Sequence, residues 1–253
     1  MKKYAVITGA SSGIGKEFAK ILAKQHYNLV LIARRVDRLE TLAKQLDTNC
    51  LVIKADLNNE TECHDLFNQI KDLEIEIFIN NAGFGISGNY DQIDLNQELK
   101  MINVNVKALH ILTKLMLEKM EKNHQGYILN VASCAGLMPA GPHMATYYAT
   151  KAYVTSLTQG IAKELKEQHS PVYIGCLCPG PVDTEFNQIA KVKFALKGIS
   201  ADYCASYALK QMKKRKVVII PTIKMKLAMT LGRYLPNYLY ITIASWQQKR
   251  KQN

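Results

Sequence analysis

No stretch of the 253-residue chain reaches the roughly 18 uncharged apolar residues of a membrane-crossing helix, so no spanning segment is expected. The apolar run behind Met1-Lys2-Lys3 extends only from Tyr4 to Ile7, too short for the core of a secretory signal. Without such a signal, the six cysteines (Cys50, Cys63, Cys134, Cys176, Cys178 and Cys204) read as reduced thiols of a cytoplasmic protein. None of the six histidines has metal-ligand spacing, and no paired-carboxylate site stands out. Cys176 and Cys178 lie two apart in an apolar run and read as one packed face of a strand, so no metal site is expected. Internal repeats and low-complexity segments are missing too. Acidic residues are absent from one whole region: residues 203–253 carry 11 Lys and Arg and no Asp or Glu, whereas residues 1–202 carry 22 basic and 21 acidic residues. The formal charge of +12 is therefore a property of the tail, which argues against a nucleic-acid-binding body.

What is present is a chain of alternating strand and helix patterns. Tyr4–Thr8 is a short apolar run of the kind that forms a buried strand. It is followed by Gly9-Ala10-Ser11-Ser12-Gly13-Ile14-Gly15 and then by helical spacing of Phe18, Ile21 and Leu22. Strand, glycine-rich turn and helix start, in that order, make a phosphate site: glycines admit the backbone to a pyrophosphate, and the helix N-terminus offers free N–H groups. A second strand, Asn28–Ala33, ends in Arg34-Arg35, with Arg38 a turn further on and Asp37 inside the next helix. Arginines at this point suit a ribose 2′-phosphate; an acid would suit a 2′-hydroxyl. Further strands are expected at 50–55, 75–79, 127–131, 172–177 and 217–220, and helices at 60–71, 97–122 and 201–214. Alternation of this kind calls for a parallel sheet covered on both faces, with ligands at the C-terminal ends of its strands. Asp56, after the third strand, either receives a hydrogen bond from an adenine or caps the next helix. Residues 183–200 have no clear partner strand and read as a flap over the site, walled further by residues 137–144.

One pair carries candidate chemistry. Tyr147 and Lys151 are four apart at the start of a helical run, which puts both on one face. A phenol with its ordinary pKa of about 10 is a poor acid or base at neutral pH, and a nearby ammonium would lower it. Tyr148, three before Lys151, sits off to one side. Ser133 lies at a strand tip, where a hydroxyl reaches a bound carbonyl, and either Asn103 or Asn105 can face the same site, but not both.

Together these pieces resemble the short-chain dehydrogenase/reductase family over roughly residues 3–221. Thr8-Gly9-x-x-x-Gly13-x-Gly15 is similar to its cofactor turn, Asn80-Asn81-Ala82-Gly83 to its structural motif, Ser133, Tyr147 and Lys151 to its catalytic set, and Pro179-Gly180 to its nicotinamide-side turn. Asn105, with Asn103 as the runner-up, fits the family's helix asparagine. The resemblance implies a doubly wound parallel α/β sheet of seven strands, a Rossmann fold, over residues 1–221, with a helical extension over 222–253. It implies NADP(H) bound by Gly9, Ser11, Ser12, Gly13, Ile14, Gly15, Arg34, Arg35, Asp56, Leu57, Asn81, Ala82, Gly83, Tyr147, Lys151, Pro179, Gly180, Val182 and Thr184. In such enzymes the tyrosine exchanges a proton with a carbonyl or alcohol oxygen, the lysine lowers the tyrosine pKa, the serine hydrogen-bonds the carbonyl, and the asparagine supports a relay water. The implied substrate is a small carbonyl or alcohol compound, lipophilic as a hydroxysteroid is, with a 3-oxoacyl thioester as the alternative. The Ala-Arg-Arg-x-x-Arg-Leu run at Ala33–Leu39 and the basic tail resemble an NADP-preferring bacterial subgroup, and a homodimer or homotetramer is implied.

The tail stays open. Pro236 divides it into two expected helices. The first carries Ile223, Leu227 and Leu231 at i, i+4, i+8, flanked by Lys224, Lys226 and Arg233; the second carries Leu239, Ile243 and Trp246 and ends in Lys249-Arg250-Lys251. An apolar stripe with basic flanks suits peripheral contact with the inner face of an anionic membrane. It equally suits packing on a sister subunit or over the pocket, with the lysines in water.

Overall fold

The computed structural model describes residues 3–190 and 198–252, and of residues 188, 189 and 247–252 the backbone alone. Seven strands form one parallel sheet: β1 (Tyr4–Thr8), β2 (Asn28–Ala33), β3 (Cys50–Lys54), β4 (Ile75–Asn80), β5 (Tyr127–Val131), β6 (Tyr173–Leu177) and β9 (Val218–Ile219), in the order β3-β2-β1-β4-β5-β6-β9. Between β6 and β9 in sequence lie two short strands, β7 (Val182–Asp183) and β8 (Ile199–Ser200). They pair with each other in parallel, so both ends of the segment expected to lack a partner strand are tied together. Residues 191–197, the middle of that expected flap, lie outside the described residues.

Period-two side-chain alternation explains the layers. Ala5 and Ile7 of β1 and Leu29 and Leu31 of β2 face one side, where they meet α1 (Gly13–Lys24), α2 (Val36–Lys44) and α8 (Ala201–Lys213). Val6, Val30, Ile32 and Phe78 face the other, against α3 (Glu60–Ile70), α5 (Leu109–Lys122) and α6 (Ala145–Glu167). Cys176 and Cys178 are buried together with Leu109, Ala132 and Val154. The chain winds outward from β1 to β3 and then crosses back to β4 beside β1. That reversal opens a crevice at the C-terminal ends of β1 and β4, the usual ligand position in such sheets.

The helix expected over 97–122 is α4 (Leu95–Ile102) and α5, joined by a π-helical turn at Asn103–Ala108. A π turn adds a residue to the helical repeat and re-aims side chains locally. Here it buries Asn105 completely and leaves Asn103 partly exposed. Asp56 does not cap α3: the cap is Asn59, which accepts from Thr61 N–H at 3.0 Å, while Asp56 accepts from Asn58 N–H at 3.1 Å within the preceding turn.

A short helix, α7 (Phe186–Ile189), follows β7, and after β9 come the two tail helices, α9 (Ile223–Gly232) and α10 (Asn237–Gln252). The inward face of the tail is not the expected stripe. Met225, Met229, Gly232, Tyr240 and Ala244 turn inward, with the Tyr240 hydroxyl 3.7 Å from Met229 Sδ. Ile223, Leu227 and Leu231 are exposed, as are Tyr238, Leu239, Ile243 and Trp246. The side chains of Lys249, Arg250 and Lys251 lie outside the described residues. Among the described residues, no helix is long and apolar enough to cross a membrane.

Candidate active site

A cavity of about 930 Å³ follows the crevice from the ends of β1 and β2 to the start of α6. Behind its lining, the buried Thr8 hydroxyl accepts from Asn81 N–H at 2.9 Å and Ala82 N–H at 3.0 Å, while Asn81 Nδ2 donates back to Thr8 O at 2.9 Å. The reciprocal bonds lock the ends of β1 and β4 together. Gly9 has φ +67°, a left-handed conformation that favours glycine. A Cβ on Gly15 would come 2.5 Å from Asn81 Nδ2, so only hydrogen fits there. α1 then starts with no acidic residue in its first turn and no side-chain cap from Ser12, which leaves its N-terminal N–H groups facing the cavity for an anion.

The arginine end lies over this turn. Arg35 Nη2 donates to Ser11 Oγ at 3.3 Å and Ser12 Oγ at 3.2 Å, and Arg35 Nη1 to Glu185 Oε2 at 3.2 Å. Arg38 Nη1 reaches Glu185 Oε1 at 2.6 Å. Arg34 lines the same cavity and is exposed. Asp56, Leu57, Asn81, Ala82 and Gly83 form the next part of the wall. Asn103 points to this side, donating to Asn58 Oδ1 at 3.2 Å.

At the other end stand Ser133, Tyr147 and Lys151, all lining the cavity. Ser133 caps the short turn Cys134–Leu137, accepting from Ala135 N–H at 3.1 Å, and the Cys134 N–H bonds Pro179 O at 2.9 Å. That bond joins the serine turn to Pro179-Gly180, which with Val182 and Thr184 closes the wall. Lys151 is buried, with Nζ donating to Val131 O at 2.8 Å and lying 6.0 Å from the centre of the Tyr147 ring. Asn105 and Lys151 converge beneath Gly83: a Cβ there would meet Asn105 Oδ1 at 2.9 Å and Lys151 Nζ at 3.2 Å.

The acid–base balance differs from the one the spacing suggests. Burial pushes the Tyr147 hydroxyl well above the ordinary phenol value, and the hydrogen bond with Ser133 offsets that only in part. Burial also lowers Lys151 to about 8. The expected lowering of the tyrosine by the lysine is therefore not seen in the protein alone. Desolvation dominates both groups, and the lysine's hydrogen bond is made to a carbonyl rather than to the phenol. Asn105 is held by the protein: Nδ2 donates to Phe84 O and to Thr150 Oγ1, and Oδ1 accepts from Phe84 N–H, so protein groups take both amide hydrogens.

Phe84, Lys100 and Val104 also line the cavity and were not among the residues expected there. Glu185 and Phe186, from the start of the expected flap, face it too, and the Phe186 ring packs on Tyr147 at 5.5 Å between centroids. Of the expected wall at 137–144, Met138 and Met144 line the cavity, whereas Leu137 packs against the buried Leu109 and Val154 cluster. The tail contribution comes from Met225, which approaches Gly180, and from Trp246.

Residues 3–193 match the family model described as short chain dehydrogenase. The chain is 37% identical over 190 residues to an uncharacterized oxidoreductase of Staphylococcus epidermidis, covering 74% of this chain and 81% of that protein. It is 34% identical over 202 residues to a very-long-chain 3-oxoacyl-CoA reductase of Anas platyrhynchos, covering 76% of this chain and 63% of that protein. A short-chain dehydrogenase from Sphingobium yanoikuyae, solved in complex with NADPH, superposes with a TM-score of 0.81 at 28% identity, covering 92% of this chain and 96% of that one. The chain belongs to the short-chain dehydrogenase family, whose members are oxidoreductases acting on CH–OH groups.

Proposed function

We propose that the protein interconverts a ketone and a secondary alcohol with NADP(H), and that Ser133, Tyr147, Lys151 and Asn105 carry the site. The observation behind this reading is the single cavity that runs from Arg34 and Arg35 to Ser133, Tyr147 and Lys151. The residues fit a dinucleotide: a bare helix N-terminus and Gly15 cradle suit the pyrophosphate, and arginines with two serine hydroxyls suit a 2′-phosphate. When bound, the nicotinamide supplies or accepts the hydride at the carbonyl carbon. The chain's own residues handle the oxygen. Ser133 donates a hydrogen bond to it, and Tyr147, kept protonated by burial, donates the proton as the oxygen gains charge. Lys151, held by Val131 O, is poised near 8 to sustain that transfer, and Asn105 fixes the backbone of Phe84 beside it.

The walls that Phe84, Met138, Met144, Phe186, Met225 and Trp246 provide favour a bulky lipophilic substrate such as a hydroxysteroid. A 3-oxoacyl thioester is the second reading, favoured by the similarity to the 3-oxoacyl-CoA reductase. In this reading the body, residues 1–221, holds the cofactor in the cytoplasm and the tail, 222–253, completes the pocket. Exposed Leu95, Leu99 and Ile102 on α4 support association into a homodimer or homotetramer. The exposed Ile223, Leu227 and Leu231 row, flanked by Lys224, Lys226 and Arg233, supports peripheral contact with an anionic membrane. The deciding experiment follows NADPH and NADH oxidation against steroid ketones, 3-oxoacyl thioesters and aromatic ketones. Turnover preferring NADPH is expected; no turnover of any carbonyl compound would remove the enzymatic reading.

A further inference from the structure

Glu185 has no part in the chemistry above, yet it is the group on which the arginine end of the cavity closes. It follows Thr184 at the start of the segment tied by β7 and β8. Its two carboxylate oxygens accept separately from Arg35 and Arg38, at 3.2 and 2.6 Å, and Arg35 at the same time holds Ser11 and Ser12. Two guanidinium groups, one just after β2 and braced by two serine hydroxyls of the turn after β1, the other in the first turn of α2, thus hold one carboxylate that arrives from 150 residues away in sequence. Carboxylate and phosphate are bound by the same charge-assisted, forked donors. Arg38's hydrogen bond, with Arg35's beside it, holds the Glu185 carboxyl below the ordinary carboxylate range, so it is charged at neutral pH.

We propose that Glu185 determines cofactor specificity as the resident counter-ion of the 2′-phosphate site: its carboxylate occupies Arg35 and Arg38 until a ribose 2′-phosphate displaces it. The inference rests on the assignment of Arg34 and Arg35 to that phosphate. All three side chains are about two-fifths exposed, where an ion pair contributes little and exchanges readily. A phosphate monoester, with close to two charges at pH 7, competes well for the same donors. A dinucleotide without the 2′-phosphate leaves the pairs intact and meets arginines already neutralised. Glu185 therefore narrows the gap between NADPH and NADH, lowering affinity for the first while sparing the second. The exchange also reaches the far end of the cavity, because the next residue, Phe186, packs on the Tyr147 ring.

The test is calorimetric titration of the full-length protein with adenosine 2′,5′-bisphosphate and with 5′-AMP, in wild type, Glu185→Gln, Glu185→Ala and the double variant Arg34→Ala/Arg35→Ala. Both Glu185 variants should bind the bisphosphate about threefold to tenfold more tightly, the range set by losing two surface ion pairs, with 5′-AMP unchanged. The arginine variant should bind the bisphosphate at least about tenfold more weakly. If the arginine variant weakens the bisphosphate but neither Glu185 variant tightens it, Glu185 is a surface charge only and the cofactor assignment stands. If the arginine variant leaves the bisphosphate unaffected, the 2′-phosphate assignment itself is wrong and the role of Glu185 falls with it.

Discussion

Asn105 clasps the backbone of Phe84 on both sides, donating to its carbonyl at 2.8 Å and accepting from its N–H at 3.0 Å. The contact imitates one rung of a β ladder, made by a side chain that the π turn aims inward. Asn105→Ala leaves both Phe84 groups without these partners. An unsatisfied buried group costs about 1–3 kcal/mol, so a loss of roughly 2–4 kcal/mol in urea unfolding is expected, with a fall in kcat as the Phe84 wall loosens. An unfolding midpoint equal to wild type would mean that water replaces the clasp.

Tyr147→Phe should lower turnover by about 100- to 10,000-fold, the usual contribution of a general acid, while NADPH affinity stays near wild type. Tyr148→Phe is the control and should be mild, because Tyr148, three residues before Lys151, lacks the four-residue spacing of Tyr147. Steady-state rates alongside nucleotide titration separate the two; normal turnover by the Tyr147 variant would exclude it from proton transfer.

Lys151 gives the fold a specific pH signature. Its folded value near 8 is below the ordinary 10.5, so between these values the unfolded chain binds more protons than the folded one and stability rises with pH. Below pH 8 the full cost of burying the ammonium is present, on the order of 3 kcal/mol. Tyr147 acts in the opposite sense: its raised value keeps it protonated when folded, so above about pH 10 the ionising unfolded chain is favoured. Lys151→Met should remove the first effect only. Its stability advantage over wild type should shrink from pH 7.5 to 10, measured by chemical unfolding at each pH; a constant difference would show that Lys151 is not desolvated.

The tail should bind vesicles containing phosphatidylglycerol and ignore pure phosphatidylcholine, with binding lost at high salt. Leu227→Glu with Leu231→Glu should abolish flotation without changing nucleotide affinity, since both residues are exposed and the cavity is reached through Met225 instead. If wild type fails to float with anionic vesicles at low salt, the membrane contact is ruled out; concentration-dependent mass would then point to a second copy on this face.

The sheet and its crevice were legible because strand, turn and helix follow one another within a few residues. Thr8 through Gly15 carry their strand–turn–helix pattern in consecutive residues, although Asn81 completes the geometry. The features that were not legible depend on distant partners or on a changed helical period. Asn105 could be preferred over Asn103 by resemblance alone, since an ideal helix does not reveal a π turn. Glu185 drew no reading from the sequence, because its arginines lie some 150 residues earlier. In the tail, apolar spacing selected Ile223, Leu227 and Leu231, but the body is met by Met225 at Gly180, and the two tail helices meet through Met229 and the close fit of Tyr240 against Gly232. The direction of the Tyr147 shift was missed because one opposing charge was weighed without the desolvation of both groups.

The sheet ends later than the stretch by which the family is recognised. The family match stops at residue 193, but β6, buried at every position, has its outer side covered by Val218–Ile219, through Cys176 N–H to Val217 O at 2.7 Å and Cys178 N–H to Ile219 O at 2.8 Å. α8, which places Cys204, Ala205, Ala208, Leu209 and Met212 in the core, also lies beyond that limit. A chain trimmed to its recognisable part would present a naked apolar strand edge, the kind that recruits other chains into aggregates. One ended after Thr222 keeps that edge sealed by two residues, with Lys213, Lys214, Arg215 and Lys216 just before them and Pro221 just after, all poor templates for further pairing. The inherited signature and the sheet that completes it are thus different lengths of the same polypeptide.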